Sequence, residues 1–264
     1  MIIFTKLHGN GNDFILIDEY DQEIIPESKK GAFAERFCAR RFGVGADGVL
    51  FLSRSKHANL RMRIFNPNGS EAEMCGNGIR CVVKYAIDAG YVRLGRMVVE
   101  AIAGDMKVEA RKDTSNRTWV KVDMGVPRFE FFEKELEGHK VSAANVGVPH
   151  AVIFIDDLAI PIAQIAPKIR HHPIFPEGAN VNFVKVGKNI LEIRTYERGV
   201  EAETLSCGTG AAASAAVANE LGKVGDIVNV KTRGGVLHAS LKDDHVFIEG
   251  TAETAYEGVI RSPF

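Results

Sequence analysis

The stretch SEAEMCGNGIRC, residues 70–81, organises the chain, because a variant of it, AETLSCGTGAA, returns at residues 202–212. In both copies a Cys is followed by a Gly, a small polar residue and a second Gly, so that Cys75 and Cys207 occupy equivalent positions. A Glu also stands four residues before each Cys. This internal similarity predicts two related halves, each carrying one copy of the motif.

Each Cys motif opens an apolar segment that ends at a Gly fifteen residues after the Cys, Gly90 in one half and Gly222 in the other. A Gly at that point is typical of a left-handed helix C-cap. The second segment is apolar nearly all round, as in a helix buried on most sides. In the first, apolar residues recur with the period of an amphipathic helix, at Ile79, Val82, Val83, Ala86 and Ile87. Each Cys is therefore predicted to lie at a helix N-terminus.

The start of a helix offers unpaired N–H groups and a partial positive charge, and glycines let a ligand approach its backbone closely. The same field favours a thiolate, and such settings bring a Cys pKa from roughly 8.5 down to roughly 3.5–7.5. Two such helices aimed at a common point would hold one carboxylate and place a sulfur on each side of the adjacent carbon. That arrangement could take a proton from one face and return one to the other.

Composition narrows the class of protein. The chain has 264 residues, 45% of them hydrophobic, and a formal net charge of −1, which fits two globular domains of ordinary size. The sequence contains no basic stripe or block of like charges that would indicate a nucleic acid or membrane partner. The apolar runs are too short to cross a bilayer, and the first residues do not resemble a signal peptide. We therefore expect a cytoplasmic protein whose thiols stay reduced.

The four cysteines are too few in a chain of this length for a disulfide framework. Cys38 and Cys81 lie in apolar-rich helical stretches, and we predict that both are small core residues. His171 and His172 have no further His or carboxylate at metal-ligand spacing, so we expect no metal site.

The remaining pattern consists of paired strands with one long helix in each half, which favours two α+β domains over a parallel doubly wound sheet. A polar run at 112–117 divides the chain evenly and predicts an N-terminal half at 1–115 and a C-terminal half at 116–253. A helix is predicted at 28–41 with Ser28 as its N-cap. Three strands are predicted after the second Cys helix.

Further polar residues stand at turns and strand ends near the Cys motifs. Asn12 is in a turn between two strands, and Asn66 is in the turn that leads into the first motif. Glu197 and Arg198 end a strand ten residues before the second Cys, where they could bind an amino group and a carboxylate. Each could equally be an ordinary turn or a solvated strand end. His150 is a candidate proton partner for a thiol.

Several motifs together resemble the diaminopimelate epimerase family, in the order HGNGNDF (8–14), GVGADG (43–48), FNPNGSEAEMCGNGIRC (65–81), EGANVNF (177–183), and YERG (196–199) with CGTGA (207–211). The resemblance implies two pseudo-symmetric halves, each a mostly antiparallel sheet or barrel wrapped around a central helix. The last strand, about residues 254–264, would return to the first half. It also implies a homodimer and a cofactor-independent reaction, the epimerisation of LL-diaminopimelate to the meso form, a lysine and peptidoglycan precursor.

The resemblance also implies roles for individual residues. The two acid/base residues, one a thiolate and one a thiol, would be Cys75 and Cys207. Backbone donors for the reacting carboxylate would be Gly76, Asn77, Gly208 and Thr209. The substrate's other amino and carboxyl groups would be held by Asn12, Asn66, Asn180, Glu197 and Arg198. The thiols would be tuned by His150 and Glu197.

Two departures from the family pattern concern recognition of the distal end of the substrate. Many members have Asn where this chain has Val148, and Gln where it has Gly48. Three other interpretations stay open at this point. The chain could be a proline racemase or hydroxyproline epimerase of the same superfamily, a thiol redox or sensor protein, or an amino-acid binding module.

Overall fold

A computed structural model describes residues 1–261. Contacts divide the chain into two compact units. The first unit comprises Met1–Val122 and the segment from Gly250 onward, and the second comprises Asp123–Glu249.

The elements follow the chain in a simple order. Those of the first unit are β1 Ile2–Gly9, β2 Asn12–Glu19, α1 Lys30–Cys38, β3 Gly48–Ser53, β4 Leu60–Phe65, β5 Glu71–Ala72, α2 Gly76–Asp88, β6 Gly95–Ala101, β7 Gly104–Lys112 and β8 Thr118–Asp123. The chain continues with β9 Arg128–Leu136, β10 His139–Asn145, β11 Pro149–Phe154, α3 Ile162–Arg170, β12 Asn180–Gly187, β13 Ile190–Glu197, β14 Ala202–Thr204, α4 Gly208–Glu220, β15 Ile227–Thr232, β16 Gly235–Lys242, β17 His245–Thr251 and β18 Glu253–Ile260.

The sheet of the first unit wraps around α2. Its strands pair in the order β18, β1, β2, β3, β4, β6, β7, β8, with β5 added to β4. The pairs β2–β3 and β4–β6 are parallel and the rest are antiparallel. Helix α2 contacts β1, β2, β3, β4 and β18, while α1 contacts β3 and β4. Because both faces of the central strands are covered, the run Phe14–Ile17 in β2 is buried throughout.

The second unit repeats this topology. Its strands pair in the order β9, β10, β11, β12, β13, β15, β16, β17, with β14 added to β13, and the parallel pairs are β11–β12 and β13–β15. Helix α4 contacts β10, β11, β12, β13, β15 and β16, so it takes the place that α2 has in the first unit. The predicted α+β fold with two pseudo-symmetric halves is confirmed.

Sequence and structure differ at the division between the units. The polar run 112–117 forms the turn between β7 and β8, where the Asp113 N–H donates to the Arg117 carbonyl (3.0 Å). Since β8 pairs with β7, the division lies after Val122, seven residues beyond the position predicted at 115. At the other end of the chain, β18 pairs with β1. Residues 262–264 of the predicted final strand lie outside the described part of the chain.

Three local predictions need correction. Ser28 does not cap a helix: it lies in a 3-10 turn at Glu27–Lys29, and α1 follows with Lys29 at its N-cap. The helix ends at Cys38 because N–H groups of the glycine loop bond its last carbonyls, as Gly45 does with Phe37 (2.9 Å). Within residues 1–261, four strands and not three follow α4, because a single residue separates β17 from β18.

Candidate active site

Cys75 stands at the N-cap of α2, as the motif predicts. Its backbone is extended (φ −146°, ψ 115°), and its sulfur accepts a hydrogen bond from the Gly78 N–H at 3.4 Å. Its carbonyl accepts the first helical bond, from the Ile79 N–H at 2.9 Å. The sulfur thus takes the place that a Ser or Asp oxygen has in an ordinary N-cap.

Asn12 faces this sulfur across the first unit. The Asn12 Oδ1 atom lies 3.7 Å from Cys75 Sγ and accepts a hydrogen bond from Asn77 Nδ2 at 3.1 Å. On the other side, Asn12 Nδ2 donates to Asp47 Oδ2 at 2.8 Å. Because an ionised carboxylate only accepts hydrogen bonds, Asp47 fixes the orientation of the amide and leaves its oxygen toward the sulfur.

A chain of charges holds Asp47 in place. Arg40 Nη2 bonds both Asp47 Oδ1 (2.6 Å) and Asp13 Oδ1 (2.8 Å), and Lys6 Nζ lies 2.6 Å from Asp13 Oδ2. Burial acts to raise the pKa of Asp13, but hydrogen bonds from Arg40 and Lys6 outweigh it and hold that pKa below its ordinary value. The turn bearing Asn12 is therefore tied to the loop bearing Asp47 by a network of ionised groups.

Arg80 is a fully buried cation near Cys75, with 1% of its surface exposed. Its Nη1 donates to Asn10 Oδ1 (2.8 Å) and to the Thr251 carbonyl (2.7 Å), and its Nη2 donates to Asn77 Oδ1. Burial lowers the pKa of Arg80 to about 10, so the guanidinium stays charged at neutral pH. The N-terminal part of α2 thus adds a full positive charge, on Arg80, to the partial charge of the helix N-terminus.

Cys207 repeats the N-cap geometry in the second unit. Its backbone is extended (φ −119°, ψ 112°), and its sulfur accepts a hydrogen bond from the Gly210 N–H at 3.3 Å. The Thr209 hydroxyl lies 3.4 Å from the same sulfur. Only 7% of Cys207 is exposed, and the helix that follows is buried over nearly its whole length.

A buried polar group centred on Asn182 lies against the start of α4. Asn182 Nδ2 donates to the Ala151 carbonyl and to His150 Nδ1, both at 3.1 Å, and Asn182 Oδ1 accepts from the Thr195 hydroxyl at 2.9 Å. Because His150 Nδ1 accepts, the imidazole proton is on Nε2, which has no hydrogen-bond partner among the described residues. Burial, helped by the charge of Arg198, lowers the pKa of His150 to about 3. The imidazole is therefore neutral at physiological pH.

The residues predicted to bind substrate fall into groups within each unit. Asn66 lies in the turn after β4, where its Nδ2 donates to the Ser70 hydroxyl at 3.0 Å. In the second unit the Arg198 N–H donates to Asn180 Oδ1 at 2.8 Å. Glu197 ends β13 and accepts a hydrogen bond from the Thr204 hydroxyl at 2.6 Å. Gly76 and Gly208 are the first residues of α2 and α4.

The other two cysteines are core residues, as predicted. Cys38 is 2% exposed and Cys81 is fully buried. Burial raises the pKa of each thiol to about 12, so both stay protonated at neutral pH.

Sequence reasoning missed three of the residues that shape the two sites. Arg80 carries a charge on the otherwise apolar helix between Ile79 and Cys81, which is a signal that could have been noticed. Asp47 lies inside the GVGADG motif, but only the fold shows that it bonds Asn12. Asn182 lies on a strand with no local sign that it is buried.

Comparison with known proteins decides the family. A family model for diaminopimelate epimerase matches residues 4–130 and 142–255. The chain belongs to the diaminopimelate epimerase family. A diaminopimelate epimerase of Methanothrix thermoacetophila is 56% identical over 268 residues, covering 97% of this chain and 95% of that protein. Those of Methanocella arvoryzae and Archaeoglobus fulgidus are 55% and 49% identical, over 100% and 98% of this chain and 98% and 96% of theirs.

Solved structures agree on the fold. A probable proline racemase from Agrobacterium radiobacter matches with a TM-score of 0.76 at 18% identity, covering 100% of this chain and 94% of that one. A hydroxyproline epimerase from Agrobacterium vitis matches with a TM-score of 0.75 at 17% identity, over 97% and 91%. The diaminopimelate epimerase family thus shares its architecture with other racemases and epimerases. The family resemblance drawn from the motifs is confirmed.

Proposed function

We propose that this protein is an isomerase that converts LL-diaminopimelate to the meso form by inverting one α-carbon, with Cys75 and Cys207 as its two acid/base groups. The observation that supports it best is the repeated N-cap. In each unit a sulfur accepts a hydrogen bond from the N–H of the third residue after it, and such a bond stabilises the deprotonated form of a thiol.

The reaction needs only two proton transfers. One sulfur, as the thiolate, takes the α-hydrogen as a proton, and the C–H electron pair passes into the α-carbon and its carboxylate. The other sulfur, as the thiol, gives its proton to the opposite face of that carbon. The two sulfurs exchange protonation states in each turnover, so the reverse reaction starts from the exchanged form. Backbone N–H groups at Gly76, Asn77, Gly208 and Thr209 would stabilise the charge that develops on the carboxylate.

Specificity for diaminopimelate requires recognition of a second amino-acid centre. We propose that Asn12, Asn66, Asn180, Glu197 and Arg198 provide it. Glu197 would bind the distal ammonium group, and the guanidinium of Arg198 would bind the distal carboxylate. A proline-type substrate has no such centre, so these charges would have no function in a proline racemase.

The remaining parts of the proposal depend on the family. We propose that the enzyme works in the cytoplasm as a homodimer, without a cofactor and without a nucleic acid or membrane partner. In the described part of the chain, no helix has the length and apolar character needed to cross a membrane.

The test is isotope exchange in deuterium oxide. LL-diaminopimelate should become the meso form with one solvent deuterium at the inverted carbon, which mass spectrometry and NMR detect. Cys75→Ala and Cys207→Ala should each abolish this conversion, while Cys38→Ala, a matched control in the core, should retain it. Turnover of proline with inert diaminopimelate would refute the substrate assignment. Loss of function on losing either thiol, with no α-hydrogen exchange in the wild type, would favour a redox or sensor protein.

A further inference from the structure

The Glu that stands four residues before each Cys has the same partner in both units. In the first unit, Glu71 of β5 accepts two hydrogen bonds from Arg63 of β4, from Nε to Oε1 at 2.5 Å and from Nη2 to Oε2 at 2.7 Å. In the second, Glu203 of β14 accepts two from Arg194 of β13, again from Nε at 2.7 Å and from Nη2 at 2.6 Å. The same two nitrogens of each guanidinium bind the carboxylate side by side.

The two pairs also occupy the same register in their sheets. Glu71 is paired with Phe65, two residues beyond Arg63, and Glu203 is paired with Tyr196, two residues beyond Arg194. Residues two apart on a strand point to the same face, so each Arg reaches its Glu diagonally across the hairpin.

The loops of the two hairpins differ in length although the ion pairs match. Glu71 stands eight positions after Arg63, whereas Glu203 stands nine positions after Arg194. The second hairpin takes up its extra residue in the turn after Glu197, where the Glu201 N–H bonds the Glu197 carbonyl at 2.9 Å. The geometry common to both units is thus that of the ion pair and not that of the turn.

The four side chains are mostly shielded from solvent, with exposures of 16% to 25%. Arg63 also bonds Glu27, and Arg194 Nη1 donates to the Leu158 carbonyl at 2.6 Å. The hydrogen bond from Arg194 holds the pKa of Glu203 below its ordinary value. Bidentate pairs anchored in this way differ from ordinary surface salt bridges, whose geometry is loose.

Each ion pair joins two neighbouring strands whose ends lie at or next to candidate site residues. Asn66 directly follows β4 and Glu197 is the last residue of β13, while each Cys lies four residues after the Glu. We propose that Arg63–Glu71 and Arg194–Glu203 are positioning pairs, each of which sets the place of one sulfur and of the hairpin residue beside it. The inference rests on the proposed roles of Cys75 and Cys207.

The test measures the reactivity of each cysteine separately. Glu71→Gln and Glu203→Gln retain the side-chain volume but remove the charge of the carboxylate. In each variant and in the wild type, the alkylation rates of Cys75 and Cys207 by iodoacetamide at one fixed pH are measured by peptide mass spectrometry. Glu71→Gln should change the rate at Cys75 at least about threefold and leave Cys207 unaffected, and Glu203→Gln should do the converse.

Two milder variants guard against failure to fold. Arg63→Lys and Arg194→Lys keep the charge but lose the bidentate geometry, and they should show the same cysteine-selective change. The kcat for LL-diaminopimelate should fall by about tenfold to a hundredfold in all four variants, because small displacements of a reacting group are costly.

Matched controls lie on the same two strands. Arg61 of β4 lies 3.4 Å from Glu100, and Glu192 of β13 lies 3.0 Å from Lys231, in more exposed ion pairs. Arg61→Gln and Glu192→Gln should leave both alkylation rates and kcat unchanged.

Other outcomes would overturn the inference. If Glu71→Gln or Glu203→Gln altered both cysteines equally, or lowered only the unfolding temperature, the pairs would be stabilising and not positioning. If the wild type did not epimerise diaminopimelate, the proposed function would fail, while the alkylation rates would still show whether each pair acts on its own cysteine.

Discussion

Replacing Gly210 by Ala would place a methyl group against the buried polar network next to Cys207. A Cβ built at this position lies 2.4 Å from Asn182 Oδ1, 3.2 Å from Cys207 Cβ and 3.3 Å from Cys207 Sγ. The equivalent Gly78 in the first unit has more space for an added Cβ atom. There the nearest atom to a new Cβ is Leu50 Cδ2 at 3.0 Å, and Cys75 Cβ lies at an ordinary 3.5 Å. The two glycines form a matched pair, since the N–H of each bonds a sulfur.

The expected loss of unfolding free energy depends on whether the atoms next to the new methyl group can move away from it. Leu50 Cδ2 is the end of a flexible side chain and can shift by a few tenths of an ångström. Asn182 is fully buried and held by Thr195, His150 and the Ala151 carbonyl, so it must break hydrogen bonds to make room. A buried polar group left unsatisfied costs about 1–3 kcal/mol. Replacing a helical Gly by Ala otherwise raises the free energy of unfolding by roughly 0.5–1 kcal/mol, because the unfolded chain has less conformational entropy. We therefore expect Gly210→Ala to lose about 1–2 kcal/mol of unfolding free energy, and Gly78→Ala to stay near zero.

The effect on catalysis should be larger than the effect on stability. The new methyl group at residue 210 presses on Cys207, and misplacing a reacting group by about 1 Å can cost up to roughly a hundredfold in rate. We expect kcat to fall about tenfold to a hundredfold in Gly210→Ala and several times less in Gly78→Ala. Urea unfolding measures the first quantity, and deuterium incorporation from solvent measures the second. Wild-type stability and activity in Gly210→Ala, or a greater loss in Gly78→Ala, would refute the reasoning.

Three further changes test the surroundings of the thiols. The pKa of His150 is about 3 in the folded protein and 6.5 in the unfolded chain, so its contribution to stability is lost as the pH falls below 6.5. Lowering the pH from 7 to 5 should therefore reduce the unfolding free energy of the wild type by about 2 kcal/mol more than that of His150→Gln. Parallel urea titrations at the two pH values measure this, and equal pH slopes would contradict it. Asp47→Ala should lower kcat/KM about tenfold, since Asn12 loses the bond that orients it, and unchanged kcat/KM would contradict that role. Arg80→Met should destabilise the protein by about 2–5 kcal/mol in urea and lower kcat more than Arg80→Lys does, because it removes the hydrogen bonds that the buried guanidinium donates to Asn10, Asn77 and the Thr251 carbonyl. Equal behaviour of the two variants would show that the charge does not matter.

Short sequence patterns predict the helices, because helices are held by interactions between residues close in sequence. The i, i+3, i+4 spacing after Cys75 and the Gly that stops each segment determine α2 and α4, because helical bonds join residues four apart. The pairing of β18 with β1 joins the two ends of the chain, and the parallel pair β2–β3 is reached only through α1. Such pairings depend on packing between distant segments, and no short window of sequence contains them.

The same limit applies to the candidate site. The sulfurs and their N–H donors lie within four residues of each other, so the motif reveals them. Asp47 acts on Asn12 across 35 positions of sequence, and Arg80 reaches Thr251 across 171. Glu71 and Glu203 are visible as a repeated residue type, but their partners on the neighbouring strands become visible only in the folded sheet.

The two halves share the geometry around each sulfur but differ in the charges near it, and these two features have different physical roles. The N-cap sulfur and the Arg–Glu pair occur in both, and the proposed reaction, which runs in either direction, would need both thiols to be placed alike. The position five residues after each Cys differs, with Arg80 in one half and Ala212 in the other. In the first unit a fully buried guanidinium lies near Cys75, whereas in the second unit the buried His150 is neutral and the nearby cation is the less buried Arg198. A two-base reaction starts from one thiolate and one thiol, and unequal electrostatics around two equivalent sulfurs are what would separate their protonation states.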